Sequence, residues 1–558
     1  MRTSSASAGM LLLLLSFSVR AQVTQEWIAR QSGTGSNSDN AIAAIADSVG
    51  NVYVTGTCRF EDTGDDYVTI KYDSAGQQVW RARFDSPNRQ DDYAMAMTRD
   101  ADGNVYVTGY GEGTGGYYDC YTVKYDPAGV QLWMAQYDGI PHWDDGTEDI
   151  AVDAEGNVYV AGSTINGFPS GTDFLTIKYN SAGIQQWCVF YDCTGSFDLG
   201  LAMTLDNLGN IYVTGFSDQA AWPYIENEDY ATIKYDPDGQ VQWVARYDGL
   251  GGSWDQPTDI VCDNDGNVYV TGWCWNGDCW SGLTDDDYAT IKYDSSGSEQ
   301  WVAQYNGPAN GQDQAQAIAV DAEGNVYVTG HSNGTTFMDP VYDYATIKYD
   351  ASGVEQWVQR YDGPASGEDW GKALALDEAA NVYVTGCSQT TGNALDYATL
   401  KYSSAGAQQW IITYDGSAGG SDQALALAVN AAGEIFVTGT SWDSLTNFDY
   451  ATVHYHQQLS GVSQFPAGAT PQEFALLQPF PNPFNPSTVA SFELRVPSQV
   501  SLKVYDTTGR LVATLVDGLR EEGAHEVTFD GAGLPSGIYV YRLTAGEFSS
   551  SGKMVLLK

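Results

Sequence analysis

The phrase Asn-Val-Tyr-Val-Thr-Gly, with single substitutions in some copies, begins at Asn51, Asn104, Asn157, Asn210, Asn267, Asn325 and Asn381. It returns in drifted form as Glu-Ile-Phe-Val-Thr-Gly from Glu434, and the eight copies lie 53 to 58 residues apart. A fixed period of this length, made of strand-like segments, restricts a chain to a propeller or a stacked array. Three further phrases keep step with the first. One is Asp-Tyr-Ala-Thr-Ile-Lys-Tyr-Asp at its fullest, with its first aromatic at Tyr67, Tyr121, Phe174, Tyr230, Tyr288, Tyr344, Tyr397 and Tyr450. Another is a Gln-Trp-Val-Ala type of run around Trp27, Trp80, Trp133, Trp187, Trp243, Trp301, Trp357 and Trp410. The last is an Ala-x-Ala phrase such as Ala-Ile-Ala-Val-Asp at 317–321.

Each phrase is short, rich in Val, Ile, Tyr, Thr and Trp, and bounded by Gly, Asp or Pro, which are strand signals. Four strands in each of eight repeats predict an all-β, eight-bladed β-propeller of four-stranded blades over 22–456. The Ala-x-Ala strand is the smallest and belongs at the crowded axis, and the Trp strand is the bulkiest and belongs outside. The chain enters on an outer-type strand near Trp27 and leaves on a third-type strand near Tyr450. Strand 26–31 is therefore expected to complete the last blade and remove the open edges.

Aromatics are 13% and apolar residues 43% of the 558-residue chain, ample for a packed core despite a net charge of −46. With 71 acidic against 25 basic residues, phosphate backbones are repelled, and nucleic acid is excluded as a partner. Residues 1–21 read as a signal peptide: Arg2, the apolar run from Met10 to Phe17, and Val19-Arg20-Ala21 before a cut at Gln22. No other run approaches the roughly 20 apolar residues of a transmembrane segment. The expected location is secreted or at the cell surface. Eight cysteines in an exported chain permit disulfides, and Cys274 with Cys279 is the pair whose spacing allows one.

The Asp-x-x-Gly-Asn-Val-Tyr-Val-Thr-Gly core resembles the SBBP repeat family, named for a proposed seven-bladed propeller, over about residues 26–455. This chain departs from it with eight copies. The resemblance implies a propeller and export, and no defined activity. After a linker at 457–472, alternating strands over 473–558 read as a small immunoglobulin-like β-sandwich. That segment resembles the type A C-terminal sorting domain of the type IX secretion system. The matching residues are Pro481-Asn482-Pro483-Phe484-Asn485-Pro486, Tyr505 to Arg510, Ser536 to Arg542 and Lys553 to Lys558. The resemblance implies the type IX machinery as a partner and passage across an outer membrane. An accessory sandwich without a sorting role is the competing reading.

Short turns join strands one to two and three to four, so they share one face. The long variable loops gather on the other, where binding residues belong. The aromatic-rich loops there carry Trp222, Tyr224, Trp254, Trp273, Trp275 and Trp280, suited to an extracellular carbohydrate or protein ligand. Packing over the scaffold's own ends is the alternative. Trp143, Trp370 and Trp442 are placed in other loops of that face. Asp285, Asp286 and Asp287 form the candidate metal site, with Ca2+ the possible ion and no other cofactor implied. The Asp-x-Asp-Gly-Asn segments lack the closing acid of a calcium loop and read as turns. The evenly recurring third-strand lysines read as structural partners for carboxylates. No catalytic motif is present. The expected function is a binding module, with a glycan-active enzyme using paired carboxylates or a structural surface protein as alternatives.

Overall fold

The computed structural model describes residues 22–34, 38–113, 115–165, 171–193, 197–218, 228–249, 254–275, 286–334, 341–390, 394–416, 419–458, 475–476, 487–507, 509–546 and 548–556. The described residues contain strands and no helix. Val23–Gln457 form one compact unit, and the residues from Gln458 belong to another.

Among the described residues the first unit holds eight antiparallel four-stranded sheets. Blade 5 shows the plan, with strands Asp255–Cys262, Val268–Trp275, Asp286–Tyr293 and Glu299–Tyr305 in that order from the axis outward. The first strands pack against one another in sequence around the ring, and Asp422–Val429 meets Asn40–Ala46 to close it. The strand order expected from side-chain size is the observed one. In every first strand the register slips by one residue near its start, as between Pro257 and Asp259. Such bulges re-aim a side chain and sharpen the twist near the axis.

The second strands are buried along most of their length because each lies between two neighbouring blades. That position explains why Val, Tyr, Val and Thr follow one another without a polar face. Thr271 and Thr290 share a hydrogen bond across strands at 2.9 Å, which satisfies two buried hydroxyls. Inter-blade contacts are equally regular. The third-strand Tyr288 hydroxyl donates to the Ala345 carbonyl of the next blade at 3.2 Å, and Tyr344 does so to Ala398 at 3.0 Å. The outer-strand Trp243 Nε1 donates to the Ser295 carbonyl in the next blade's last turn at 3.2 Å. Gly297 of that turn has φ +83°, and a Cβ there would lie 2.6 Å from the Trp243 ring, so the position tolerates only glycine.

The ring closes with the same parts. Gln22–Gln31 is the fourth strand of blade 8, beside Asn447–Gln458. Trp27 Nε1 donates to Ser74 O at 3.0 Å, and Tyr450 donates to Val68 O at 3.3 Å. One joint differs. Blade 8 has no turn between its third and fourth strands, because the two come from opposite ends of the propeller segment. Trp410 Nε1 accordingly has no acceptor among the described residues. Gln457, expected in the linker, lies in the strand instead, and its Oε1 accepts from Lys401 Nζ at 2.7 Å.

The Asp-x-x-Gly-Asn segments are turns. Asp100 accepts from the Asn104 backbone at 2.8 Å, the Asn104 side chain at 2.7 Å and the Tyr106 hydroxyl at 2.8 Å. Burial works against ionisation, but these donors hold Asp100 below its ordinary range. The third-strand lysines are structural, with a different main partner from the expected one. Each places Nζ 4.5–5.1 Å from the ring of the second-strand tyrosine. Several then reach the next blade's turn carbonyl, as Lys234 does to Ser295 O at 3.1 Å. The nearby carboxylate is already filled by asparagine and tyrosine donors. Lys401 is the lysine that reaches one directly, Asp377 at 3.4 Å.

Among the described residues the second unit holds seven strands in two sheets. Ala475–Leu476, Ser487–Leu494 and Gly523–Asp530 form one, and Leu511–Arg520, Ser498–Asp506, Gly537–Ala545 and Phe548–Leu556 the other. Phe492, Leu502, Val504, Phe529, Tyr541 and Met554 are among its buried core residues. Residues 481–486 of the sorting motif lie outside the described residues.

Candidate functional site

First strands begin, second strands end and third strands begin on the long-loop face. Residues at these three places escape the repeat. The residue after Val-Thr-Gly, for instance, is Thr57, Tyr110, Ser163, Phe216, Trp273, His331, Cys387 and Thr440 in the successive blades. Trp273 and Trp275 occupy the last residues of Val268–Trp275, in the strand rather than in a loop. Trp370 and Trp442 are likewise in strands, Asp369–Leu376 and Glu434–Asp443, while Trp143 and Trp254 precede first strands. Ladder pairing continues past the repeated phrase at these points, which holds the rings more rigidly than a loop would. Trp254 is 45% exposed and Trp273 and Trp275 are partly exposed. Trp222, Tyr224 and Trp280 lie outside the described residues.

A continuous set of contacts runs from blade 5 to blade 7 on this face. Asp286, cross-strand from Trp275, accepts from Gln314 Nε2 at 3.0 Å and Gln312 Nε2 at 3.4 Å. Gln312 Oε1 accepts from the Tyr342 hydroxyl at 2.7 Å. Tyr342 stands edge-on to His331 at 5.0 Å, and both rings meet Trp370, at 6.4 and 5.9 Å. Lys372 Nζ lies 5.2 Å from the Trp370 ring. Burial pushes the His331 imidazole down to about 3, with the Lys372 charge adding to it, so it is neutral at physiological pH. Burial also lowers Lys372. Gln312, Gln314, His331, Tyr342 and Lys372 were not candidates from sequence. Aligning the eight copies position by position exposes them as departures from the repeat.

The acidic candidates separate. Asp286 and Asp287 are adjacent in a strand, so their side chains leave opposite faces. Asp286 serves the glutamines and Asp287 is 3% exposed, while Asp285 lies outside the described residues. Cys274 is buried and accepts from Gln304 Nε2 at 3.2 Å, and Cys279 lies outside the described residues. Carboxylates do converge at the blade junctions. Asp66, Asp85 and Asp92 place one oxygen each within 4.8 Å of the others, as do Asp119, Asp138 and Asp145, and Asp229, Asp248 and Asp255. An arginine answers the first and third sets: Arg83 Nε is 2.6 Å from Asp66 and Arg246 is 3.1 Å from Asp229. In the second set Gln136 donates to Asp119 at 2.7 Å. That set has the hard oxygen donors that could hold Ca2+.

Comparison with known proteins fits this architecture. Residues 135–169 and 300–337 match the model of a beta-propeller repeat, SBBP, and 478–557 match a secretion system C-terminal sorting domain. Residues 135–169 and 300–337 are thus SBBP repeats within the propeller, and 478–557 a type IX sorting domain. It is exported, to the cell surface or the medium. No curated protein matches it. Among solved structures, PorZ of Porphyromonas gingivalis, a surface component of the type-IX secretion system, is 14% identical over 92% of this chain and 74% of its own, with TM-score 0.39. The polysaccharide lyase Uly1 is 12% identical over 74% and 89%, with TM-score 0.40. Drosophila Semaphorin 2a is 7% identical over 84% and 96%, with TM-score 0.39. At these values none of the three carries a functional argument. Among the described residues no helix is long and apolar enough to cross a membrane.

Proposed function

We propose that the exported SBBP propeller is a binding module for an extracellular carbohydrate or protein. Its site is the strip on the long-loop face from Trp273 and Trp275 of blade 5 to Trp370 of blade 7. The observation that carries this reading is the unbroken chain of contacts from Asp286 through Gln312, Tyr342 and His331 to Trp370. Aromatic faces flanked by amides and carboxylates, on a rigid scaffold, supply apolar stacking area and directional hydrogen bonds side by side. Export places the site where such ligands occur.

A glycan-array screen of purified residues 22–558 tests the reading. Binding without turnover is the expected outcome, and product formation would favour a glycan-active enzyme instead. In the Trp273→Ala/Trp275→Ala variant the affinity should fall roughly 30-fold or more, as for anchor residues of an interface. Unchanged affinity with an unchanged circular dichroism spectrum would move the site off blade 5.

A further inference from the structure

The blade 6 and blade 7 end of the strip differs electrostatically from the aromatic cluster of blade 2. Tyr93, Tyr110 and Tyr118 of blade 2 form a comparable cluster, with rings 5.2–6.2 Å apart. Asp65 and Asp91 act on Tyr93, and Asp91, Glu112, Asp144 and Asp65 on Tyr118. At His331 the acting charge is Lys372, and at Lys372 it is the Cys387 thiol. Glu368, Asp286 and Asp313 act on Tyr342 but on neither of those two groups.

Hydrogen bonding agrees. His331 Nδ1 and Trp370 Nε1 are buried without a partner among the described residues. Lys372 is partly exposed, and its one described contact is the Trp370 ring. Its position is the first-strand bulge, between Gly371 and Ala373. The seven other blades have Ile42, Met95, Glu148, Leu201, Thr258, Gln316 and Leu425 there, so no repeat requirement explains a cation. An ammonium partly withdrawn from water, with no counter-ion among the described residues, costs stability, and a ligand that supplies the negative charge recovers it through a charge-assisted hydrogen bond.

We propose that Lys372, held in place by Trp370 and His331, recognises an anionic substituent, a carboxylate or a sulfate ester, on an acidic polysaccharide. The proposal rests on the glycan-binding form of the function above and names its ligand class. The aromatic strip leading back to blade 5 favours a sugar chain, whose ring faces stack on such surfaces, over a free anion. Neutral sugars would bind the rest of the strip without the Lys372 contribution.

The test is calorimetric titration of purified residues 22–558 with oligosaccharides of galacturonate, glucuronate and mannuronate, each beside its carboxyl-reduced counterpart. A sulfated and an unsulfated galactan oligosaccharide form the second arm. At least one anionic member should bind, its neutral counterpart more weakly by roughly tenfold or more, the worth of one charge-assisted bond. Which arm responds separates carboxylate from sulfate ester. Lys372→Met, which keeps the aliphatic stem on Trp370, should reduce the anionic ligand to the affinity of its neutral counterpart. Lys372→Arg should restore most of the difference. Equal binding of charged and neutral members, or an unchanged anionic affinity in Lys372→Met, would overturn the anion site and leave a binding module standing. Absence of binding by every glycan would overturn the anion site together with the glycan-binding form of the function, and leave a protein as the ligand.

Discussion

Removing residues 22–31 is expected to open the ring. The deletion takes the fourth, outermost strand from blade 8 and leaves Asn447–Gln458 as a long unpaired edge at the rim. It also removes the Trp27 bond to Ser74 and the packing of Trp27 on Tyr72, Phe436 and His454, at ring distances of 5.4–6.0 Å. Arg30 is lost as well, with its bond to Ser441 at 2.9 Å and its 3.5 Å contact with Asp449. Trp27→Ala alone should cost about 3 kcal/mol, the lower end for a large aromatic that is only partly buried. The full deletion should remove the cooperative unfolding transition and yield self-associating protein, read by calorimetry and size-exclusion chromatography. Trp133→Ala, at an internal joint, should lower the midpoint and leave the protein monomeric. A deletion variant that unfolds at the wild-type temperature would mean that this strand does not close the ring.

The second large effect is a stability that rises on mild acidification. The aspartates that open the first strands accept from backbone N–H groups five or six positions before them, as Asp255 does from Gly249 at 2.6 Å. They are nonetheless buried, and burial pushes Asp92 and Asp255 up to about 7 and Asp39, Asp145, Asp198, Asp313 and Asp369 up to about 6. In the unfolded chain these groups titrate near 3.9. Between about pH 4 and 7 the folded state therefore holds more protons, so stability falls as pH rises through the folded values. The contribution is fully present below about pH 4 and lost above 7. Turn aspartates such as Asp100, Asp206, Asp263 and Asp377, held below their ordinary range, oppose this only below about pH 4. Self-repulsion of the acidic surface works in the same direction as the buried set. The melting temperature should be higher at pH 5.5 than at pH 8 by roughly 5 °C, a few kcal/mol in a unit of this size. Asp92→Asn/Asp255→Asn should flatten the profile. A midpoint that falls on acidification from pH 8 to 5.5 would show that the buried carboxylates are ionised at little cost.

Repetition made the scaffold readable from sequence. Blade number, strand order and closure follow from phrases that recur at one spacing and from side-chain sizes that must taper toward an axis. The site was less readable because its members come from different phrases. Asp286, Gln312, His331, Tyr342 and Trp370 meet only when the third strand of one blade, the first three of the next and the first of a third are side by side. The junction carboxylates were hidden likewise, since Asp66 lies in the third strand of one blade, Asp85 in the loop after its fourth strand and Asp92 in the first strand of the next. Trp273, Trp275, Trp370 and Trp442 were placed in loops because the repeated phrase stops before or beyond them. Pairing depends on backbone hydrogen bonds and continued past it. The lysines were matched with carboxylates on charge alone, although the cross-strand register puts Lys234 opposite Tyr212 and Lys292 opposite Tyr269.

Hydroxyl-radical footprinting of residues 22–558, with and without the tightest glycan from the array, tests most directly where this propeller does its work. Protection is predicted at Trp254, Trp273, Trp275, Tyr342 and Trp370, on the long-loop face of blades 5 to 7. The turns around Asp100, Asp153 and Asp206 on the opposite face should be unchanged. Protection of those turns, with the loop-face aromatics as reactive as before, would contradict the account.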